Sequence, residues 1–138
     1  MRKLLVPAFL VFAVAALTLA GIAQGYDGNG ARARGASVRI TQVSPNSKTG
    51  CVSLRLDLRG WKMYPGEIGT STNRADGGHY HIYVNGKYWS ASANAKRARA
   101  CGLATGETYQ LQVVLAYNDH TQIGAHSQVV SAILRGTY

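Results

Sequence analysis

Acidic side chains are scarce in this chain of 138 residues, which has six Asp and Glu residues against fifteen Lys and Arg residues and a formal net charge of +9. No two acids lie close together in the sequence, which disfavours paired-carboxylate catalysis and a calcium loop with several oxygen ligands. Charged residues make up only 15% of the chain. Typical soluble proteins have about a quarter, so a disordered chain or a coiled coil is also disfavoured. The length allows one domain.

Sequence signatures of catalysis are missing as well. No Gly-rich loop leads into a helix, as a phosphate-cradling nucleotide site would require. No serine lies in the nucleophile elbow of a hydrolase, so a serine-type triad has no support. We therefore expect a protein that is not an enzyme.

The first 25 residues have the three regions of a secretory signal peptide. Met1-Arg2-Lys3 is positively charged, Leu4 to Leu17 is apolar, and small residues follow, which predicts cleavage between about Ala23 and Gly25. A retained membrane anchor is the alternative, because the apolar run is about long enough to span a bilayer. We predict an exported protein that is periplasmic, attached to the cell envelope or secreted, with membrane contact only if the signal segment stays uncleaved.

The two cysteines, Cys51 and Cys101, are predicted to form a disulfide, because small exported domains commonly use them in this way. The bridge would close a loop of about fifty residues and contribute on the order of 4 kcal/mol to the free energy of unfolding. A cysteine-containing copper or zinc site is the alternative. Neither cysteine has the short spacing to another Cys or His that a structural zinc site shows.

Alternation of apolar and polar residues predicts β-strands in the remainder of the chain. The alternating segments are 38–41, 52–59, 79–84, 109–117 and 129–134. Asn85-Gly86 is a strong signal for a tight hairpin, and no segment shows sustained helical spacing. We predict an all-β fold, an immunoglobulin-like antiparallel β-sandwich of about seven strands over residues 36–138. Residues 26–35 precede it as a Gly-rich, basic and flexible leader.

Four histidines occur in the second half of the chain, and their positions predict a metal site. His79 and His81 share one face of a strand, and they point outward if Tyr80 and its alternating neighbours face the core. In the strand that ends at Asp119 the odd-numbered residues are predicted to face the core, so His120 would face outward if the strand continued to it. We expect this strand to run antiparallel beside the strand of His79. His126 is predicted to open the last strand and to return to the same sheet edge.

Imidazole is the commonest protein ligand of zinc and copper, so the convergence predicts a copper or zinc site. We assign His79, His81 and His120 as ligands, with His126 and Asp119 as helpers in binding or in orienting a histidine. The alternative is that these histidines are structural and only hydrogen-bond locally.

Basic residues offer a second, different function. Arg32 and Arg34 in the leader and Lys96, Arg97 and Arg99 further along can engage an anionic component of the cell envelope, such as lipid headgroups or polysaccharide. The protein would then be an envelope interaction module, with no specific nucleic-acid partner. The alternative is that these charges are solvated and only keep the protein soluble.

Three motifs resemble a family of small exported bacterial domains of unknown function. They are Gly78-His79-Tyr80-His81, the Leu103-Ala104-Thr105-Gly106 turn into a long strand, and Asn118-Asp119-His120. The similarity covers about residues 52–134 and implies an exported immunoglobulin-like domain, without implying an activity. The chain departs from the family pattern in its cysteine pair and in Tyr80, where the family tends to have a third consecutive histidine.

Overall fold

The described part of the chain forms nine β-strands and one short 3-10 helix. The computed structural model describes residues 35–136. The strands are β1 (Ser37–Asn46), β2 (Cys51–Arg59), β3 (Lys62–Met63), β4 (Gly77–Val84), β5 (Lys87–Ser92), β6 (Arg97–Ala100), β7 (Thr108–Ala116), β8 (Gln122–His126) and β9 (Val130–Ile133), and the 3-10 helix is Pro65–Glu67. Within this range no helix is long and apolar enough to cross a membrane.

The strands form two sheets. One has three strands in the order β1-β2-β6, and the other has β3, β4, β7 and β8 side by side, with β5 also paired to β4 and β9 also paired to β7. The short β3 runs parallel to β4, and the other strand pairs described are antiparallel. The prediction of an all-β fold is therefore confirmed.

The hydrophobic core lies between the two sheets, and it explains the alternation in the sequence. Every second residue of β2, β4 and β7 points into this space, including the fully buried Leu54, Tyr80, Ile82, Leu111 and Leu115. The opposite residues of each strand form the two outer faces of the molecule. These outer faces carry the polar chemistry described below.

Two local predictions are confirmed. Cys51 at the start of β2 and Cys101 just after β6 form a disulfide, which fastens the short β6 to the centre of the three-stranded sheet. Asn85 and Gly86 both have positive φ angles, 51° and 75°, and they join β4 to β5 in a tight hairpin. Asn and Gly tolerate this left-handed backbone region better than other residues.

The number of strands differs from the prediction of about seven. β3 has only two residues, and β8 (Gln122–His126) is an additional strand before the predicted segment 129–134, which corresponds to β9 (Val130–Ile133). Between β8 and β9, the side chain of Gln128 hydrogen-bonds the backbone N and O atoms of Ile40 in β1. His126 ends β8 and does not open the last strand, so that prediction is wrong.

The predicted signal peptide (1–25) lies outside the described residues. The same holds for nearly all of the leader (26–35), with Arg32 and Arg34.

Candidate metal centre

The site is built on the pairing of β4 with β7, which was predicted and is confirmed. The two strands are antiparallel, with His79 opposite Ala116 and His81 opposite Val114. Close packing at the start of β4 requires glycine: a Cβ atom on Gly78 would lie 2.3 Å from the backbone O of Ala116. The strand therefore enters the sheet against β7, and the next residue, His79, is held beside the end of that strand.

Three imidazole nitrogens converge on one point at this end of the sheet. His79 Nε2 lies 3.0 Å from His81 Nε2 and 3.2 Å from His120 Nδ1. His81 Nε2 lies 2.9 Å from the same His120 Nδ1. We call these residues the three-histidine group. They are one set of metal-ligating side chains close enough together to hold an ion.

The backbone turn 117–121 carries His120 into the group. β7 ends at Ala116, so His120 lies beyond the strand and its direction is not set by strand alternation. Its φ angle is +70°. A non-glycine residue in this region of backbone space is uncommon and is often found at functional sites. The turn is closed by hydrogen bonds from His120 N to Tyr117 O and from Tyr117 N to Thr121 O.

Both β4 histidines are on the outer face, as predicted, but they are not exposed. The exposed fraction is 0% for His79 and 4% for His81. Residues 64–76, which connect β3 to β4, fold back over this end of the sheet, and we call them the covering segment. Gly69 N donates a hydrogen bond to Asn118 O at 2.7 Å, and a Cβ atom on Gly69 would lie 3.6 Å from His120 Nε2. The two imidazoles therefore point outward from the sheet and are nevertheless shielded from solvent.

Polar side chains fasten the covering segment to the turn. The buried Asn118 donates its Nδ2 to Glu67 Oε2 at 2.8 Å and to Thr72 O at 2.7 Å. Glu67 also accepts a hydrogen bond from Arg74 Nε at 2.7 Å, and this bond is the main reason why the pKa of Glu67 is lowered. The covering segment is thus held in place by a connected network.

Asp119 braces the turn instead of joining the three nitrogens. Its carboxylate accepts hydrogen bonds from Asn73 Nδ2 at 2.6 Å and from the backbone N of Thr121 at 2.9 Å. Burial alone would raise the pKa of Asp119, but these hydrogen bonds outweigh it and lower the pKa. The structure therefore gives Asp119 a role in positioning His120.

Burial keeps the two β4 histidines uncharged at neutral pH. It lowers the pKa of His79 to about 4, an effect reinforced by His81 and His120 and partly opposed by Asp119. Burial likewise lowers the pKa of His81 to about 4, with His120 as the second cause. A neutral imidazole is the form that binds a metal ion.

Hydrogen bonding alone does not satisfy the three nitrogens. A neutral imidazole nitrogen is either a donor or an acceptor, and among three such atoms at least two must be alike. At least one of the three short contacts is therefore between two N–H groups or between two lone pairs. A cation at the centre removes this conflict, because it accepts a lone pair from each nitrogen.

The distances suit a transition metal ion. Nitrogens bound tetrahedrally to zinc at about 2.0–2.1 Å are about 3.3 Å apart, which is a few tenths of an ångström more than the observed 2.9–3.2 Å. His79 Nε2, His81 Nε2 and His120 Nδ1 would hold such an ion as three nitrogen ligands. The group therefore offers one face of a coordination sphere and leaves other positions for a further ligand.

The outer nitrogens of the two β4 histidines lack partners. His79 Nδ1 and His81 Nδ1 are buried, and neither has a hydrogen-bond partner among the described residues. Metal-bound histidines usually donate this N–H to a carboxylate or a carbonyl. Here the packing of β4 against β7 fixes the ring positions, while His81 also lies edge-on to the Tyr88 ring at 5.1 Å.

The structure keeps the other predicted site residues away from the three-histidine group. His126 is exposed and lies opposite Val114, on the far side of that residue from His81, and its Nδ1 contacts Gln112 Nε2 at 3.2 Å. Arg97 and Arg99 lie on β6 in the other sheet, with Lys96 just before them. These three residues remain candidates for binding an anionic partner.

Sequence reasoning did not identify the residues that cover the site. Asn118 and Glu67 are 51 positions apart, and the covering segment has no periodic pattern that would predict its fold. One feature of the sequence could have indicated the turn that carries His120: Asn118 directly precedes Asp119-His120. Asn often closes turns through its side-chain amide.

Comparisons of the chain with protein-family models, with curated proteins and with solved structures give no match. Function is therefore inferred from the geometry of the site, and the resemblance to small exported bacterial domains stays a prediction.

Proposed function

We propose that this protein is a binding module that holds one transition metal ion, copper or zinc, through His79, His81 and His120. The observation that carries the proposal is the convergence of three imidazole nitrogens within 2.9–3.2 Å of one another. Both metals bind imidazole well.

Burial supports the proposal in two ways. It keeps His79 and His81 neutral, since the pKa of each is about 4, so protons do not compete with the metal near pH 7. It also fixes both rings before an ion arrives, which lowers the entropic cost of binding. The exposed His120 completes the site from the solvent side.

We further propose that the protein works outside the cytosol and that its sandwich is immunoglobulin-like. The disulfide between Cys51 and Cys101 is typical of an oxidising compartment. In support of the fold, β1, β2 and β6 form one sheet while β5, β4, β7 and the last strands form the other, which is similar to the distribution of strands in immunoglobulin domains. The N-terminal signal pattern agrees with export.

Isothermal titration calorimetry with Zn²⁺ and Cu²⁺ tests the metal site. His120→Asn removes one ligand and keeps a residue that tolerates the left-handed backbone. His126→Asn is the matched control, because it removes an exposed histidine outside the group. We expect one ion per chain with submicromolar affinity. His120→Asn should weaken binding at least about 100-fold, and the control should change it less than about threefold.

Two results would contradict the proposal. One is absent or millimolar binding by the unaltered protein. The other is an equal loss in both variants, which would place the ion on surface histidines in general.

A further inference from the structure

The outer face of the three-stranded sheet is strongly basic. Antiparallel partners lie on the same face of a sheet, and the register groups five arginines there: Arg39, Arg55, Arg59, Arg97 and Arg99. We call this surface the arginine face. All five are exposed. It lies on the side of the sandwich opposite to the three-histidine group and does not depend on the proposed metal site.

Carboxylates do not neutralise this surface. One acidic residue, Asp57, belongs to the arginine face, and it pairs with Arg59 at 3.3 Å. Among the residues that the structure describes, the remaining four arginines form no ion pair. The face therefore presents a net positive charge to solvent.

Two of these arginines face each other directly. Arg55 in β2 is the partner of Arg97 in β6, and like charges in directly opposite positions destabilise a sheet. They border a concavity of about 290 Å³ lined also by Gln42, Ser44, Ser53 and Leu54. Amide and hydroxyl groups thus stand next to the paired guanidinium groups, as in a site for a hydrogen-bonding anion.

The spacing of the charges suits an extended polymer. Arg97 and Arg99 flank the buried Ala98 on β6, and side chains two residues apart on a strand are separated by about 6.6 Å, while neighbouring strands are about 4.8 Å apart. The arginines therefore form a grid and not a single pocket. Guanidinium groups bind carboxylate and sulfate groups in a forked, two-point manner.

The position of the exposed apolar residues favours a polysaccharide over a membrane or a nucleic acid as the partner of the arginine face. The large exposed apolar residues lie on or beside the strands of the other sheet: Tyr88, Trp89, Val129 and Ile133. The arginine face thus lacks the apolar side chains that insert into a bilayer and the aromatic rings that stack on bases. The disulfide is typical of an oxidising compartment outside the cytosol.

We propose that the arginine face binds a linear anionic polysaccharide, with Arg55 and Arg97 at its centre. This assigns a position to Arg97 and Arg99, two of the basic residues predicted from the sequence, and adds Arg39, Arg55 and Arg59 to them.

Binding to dextran sulfate, with uncharged dextran as the matched polymer, tests the proposal. The variant Arg55→Gln/Arg97→Gln is compared with Lys87→Gln/Arg135→Gln, which removes the same charge from exposed positions outside the arginine face. We expect salt-sensitive binding to dextran sulfate and none to dextran. The first variant should bind about 10-fold more weakly, and the second should change less than about twofold. Equal melting temperatures establish that both variants are folded.

Several outcomes would overturn the proposal. Equal losses in both variants would show that net charge alone matters, and absence of binding at low salt would remove the site. Tighter binding to phosphatidylglycerol vesicles or to single-stranded oligo(dT) than to dextran sulfate would assign the arginine face to a membrane or to a nucleic acid instead.

Discussion

The two outer faces of the sandwich are built from the same alternating strand pattern, but their outward residues differ in exposure and charge. On the three-stranded sheet, the outward residues of β2 and β6 remain exposed and charged, as Arg55 and Arg97 are. On the other sheet, the outward residues of β4 are buried and neutral, as His79 and His81 are. The alternation is the same in both sheets, whereas the residue types and the exposure to solvent differ.

The difference comes from what the connections do. The covering segment folds over the end of β4 and is tied there by Asn118, Glu67 and Asn73. Within residues 35–136 the arginines of the arginine face stay exposed, and β1 and β2 are joined there by a short turn at residues 47–50. Polar residues under a cover must satisfy one another or bind an ion, whereas polar residues in the open are satisfied by water. Substitutions on the covered face should therefore have the larger effects.

The largest effect is expected from Gly78→Ala. The new methyl group would lie 2.3 Å from Ala116 O and 3.0 Å from Tyr117 Cα, so β4 and β7 must move apart. The expected loss in the free energy of unfolding is about 3 kcal/mol or more, as for other overpacked sites. Urea denaturation measures it. Gly66→Ala is the control, because its added methyl group would contact nothing within 4 Å, and a similar loss there would contradict this explanation.

A smaller loss is expected from Asn118→Ala. This substitution removes the hydrogen bonds to Glu67 and Thr72 and frees the covering segment. We expect a loss of about 2–3 kcal/mol in the free energy of unfolding, together with weaker metal binding. Gln42→Ala on the open side, whose amide donates to Ser44 Oγ, should change stability by less than about 0.5 kcal/mol. If both variants lose the same amount, the covered and open faces do not differ as described.

Acid is expected to destabilise the metal-free protein through His79 and His81. The pKa of each is about 4 in the folded state against an ordinary 6.5, so the unfolded chain binds more protons between these values. Stability is then complete above pH 6.5 and falls as the pH decreases towards 4. Between pH 7 and pH 5 we expect a loss of about 2 kcal/mol for each of the two histidines, measured by urea denaturation after treatment with a chelator.

His79→Phe/His81→Phe is the control for this acid effect, since it removes both titrating groups. Stopping at pH 5 keeps the measurement above the range in which carboxylates titrate. An equally steep loss in the double variant would assign the acid sensitivity to other residues.

The smallest effect is expected from Arg55→Gln on the arginine face. It removes one member of the directly opposed pair with Arg97, so stability should stay within about 0.5 kcal/mol of the original and rise slightly at low salt. Urea denaturation at low and high ionic strength measures this change. A loss above about 1 kcal/mol would mean that Arg55 stabilises the sheet by packing.

Much of the fold could be predicted because it depends on alternation within single strands. The strands around Leu54, Ile82 and Val113, the Asn85-Gly86 hairpin and the disulfide all follow from local pattern or cysteine count. The antiparallel pairing of β4 with β7 followed from the expected sandwich architecture. These features require no knowledge of the loops.

The remaining features depend on contacts between distant residues. His126 was placed at the start of a strand, but it ends β8, and the connection that follows it contacts β1 through the hydrogen bond between Gln128 and Ile40, 88 positions apart. The burial of His79 depends on the covering segment, whose fold is fixed by side-chain hydrogen bonds such as Asn73 to Asp119. Arg55 was not grouped with Arg97 because the pairing of β2 with β6 was not part of the prediction.

The separation of the ligands along the chain has a kinetic consequence. His81 meets His120 across 39 positions, and the intervening residues include β5 in one sheet and β6 in the other. His79 and His81 can offer two nitrogens as soon as β4 is extended, whereas the third arrives only after the chain has crossed to the other sheet and returned. Such nonlocal pairing is a slow step in folding. Binding of an ion by all three nitrogens is therefore possible only after both sheets have formed, and its time course would follow the completion of folding.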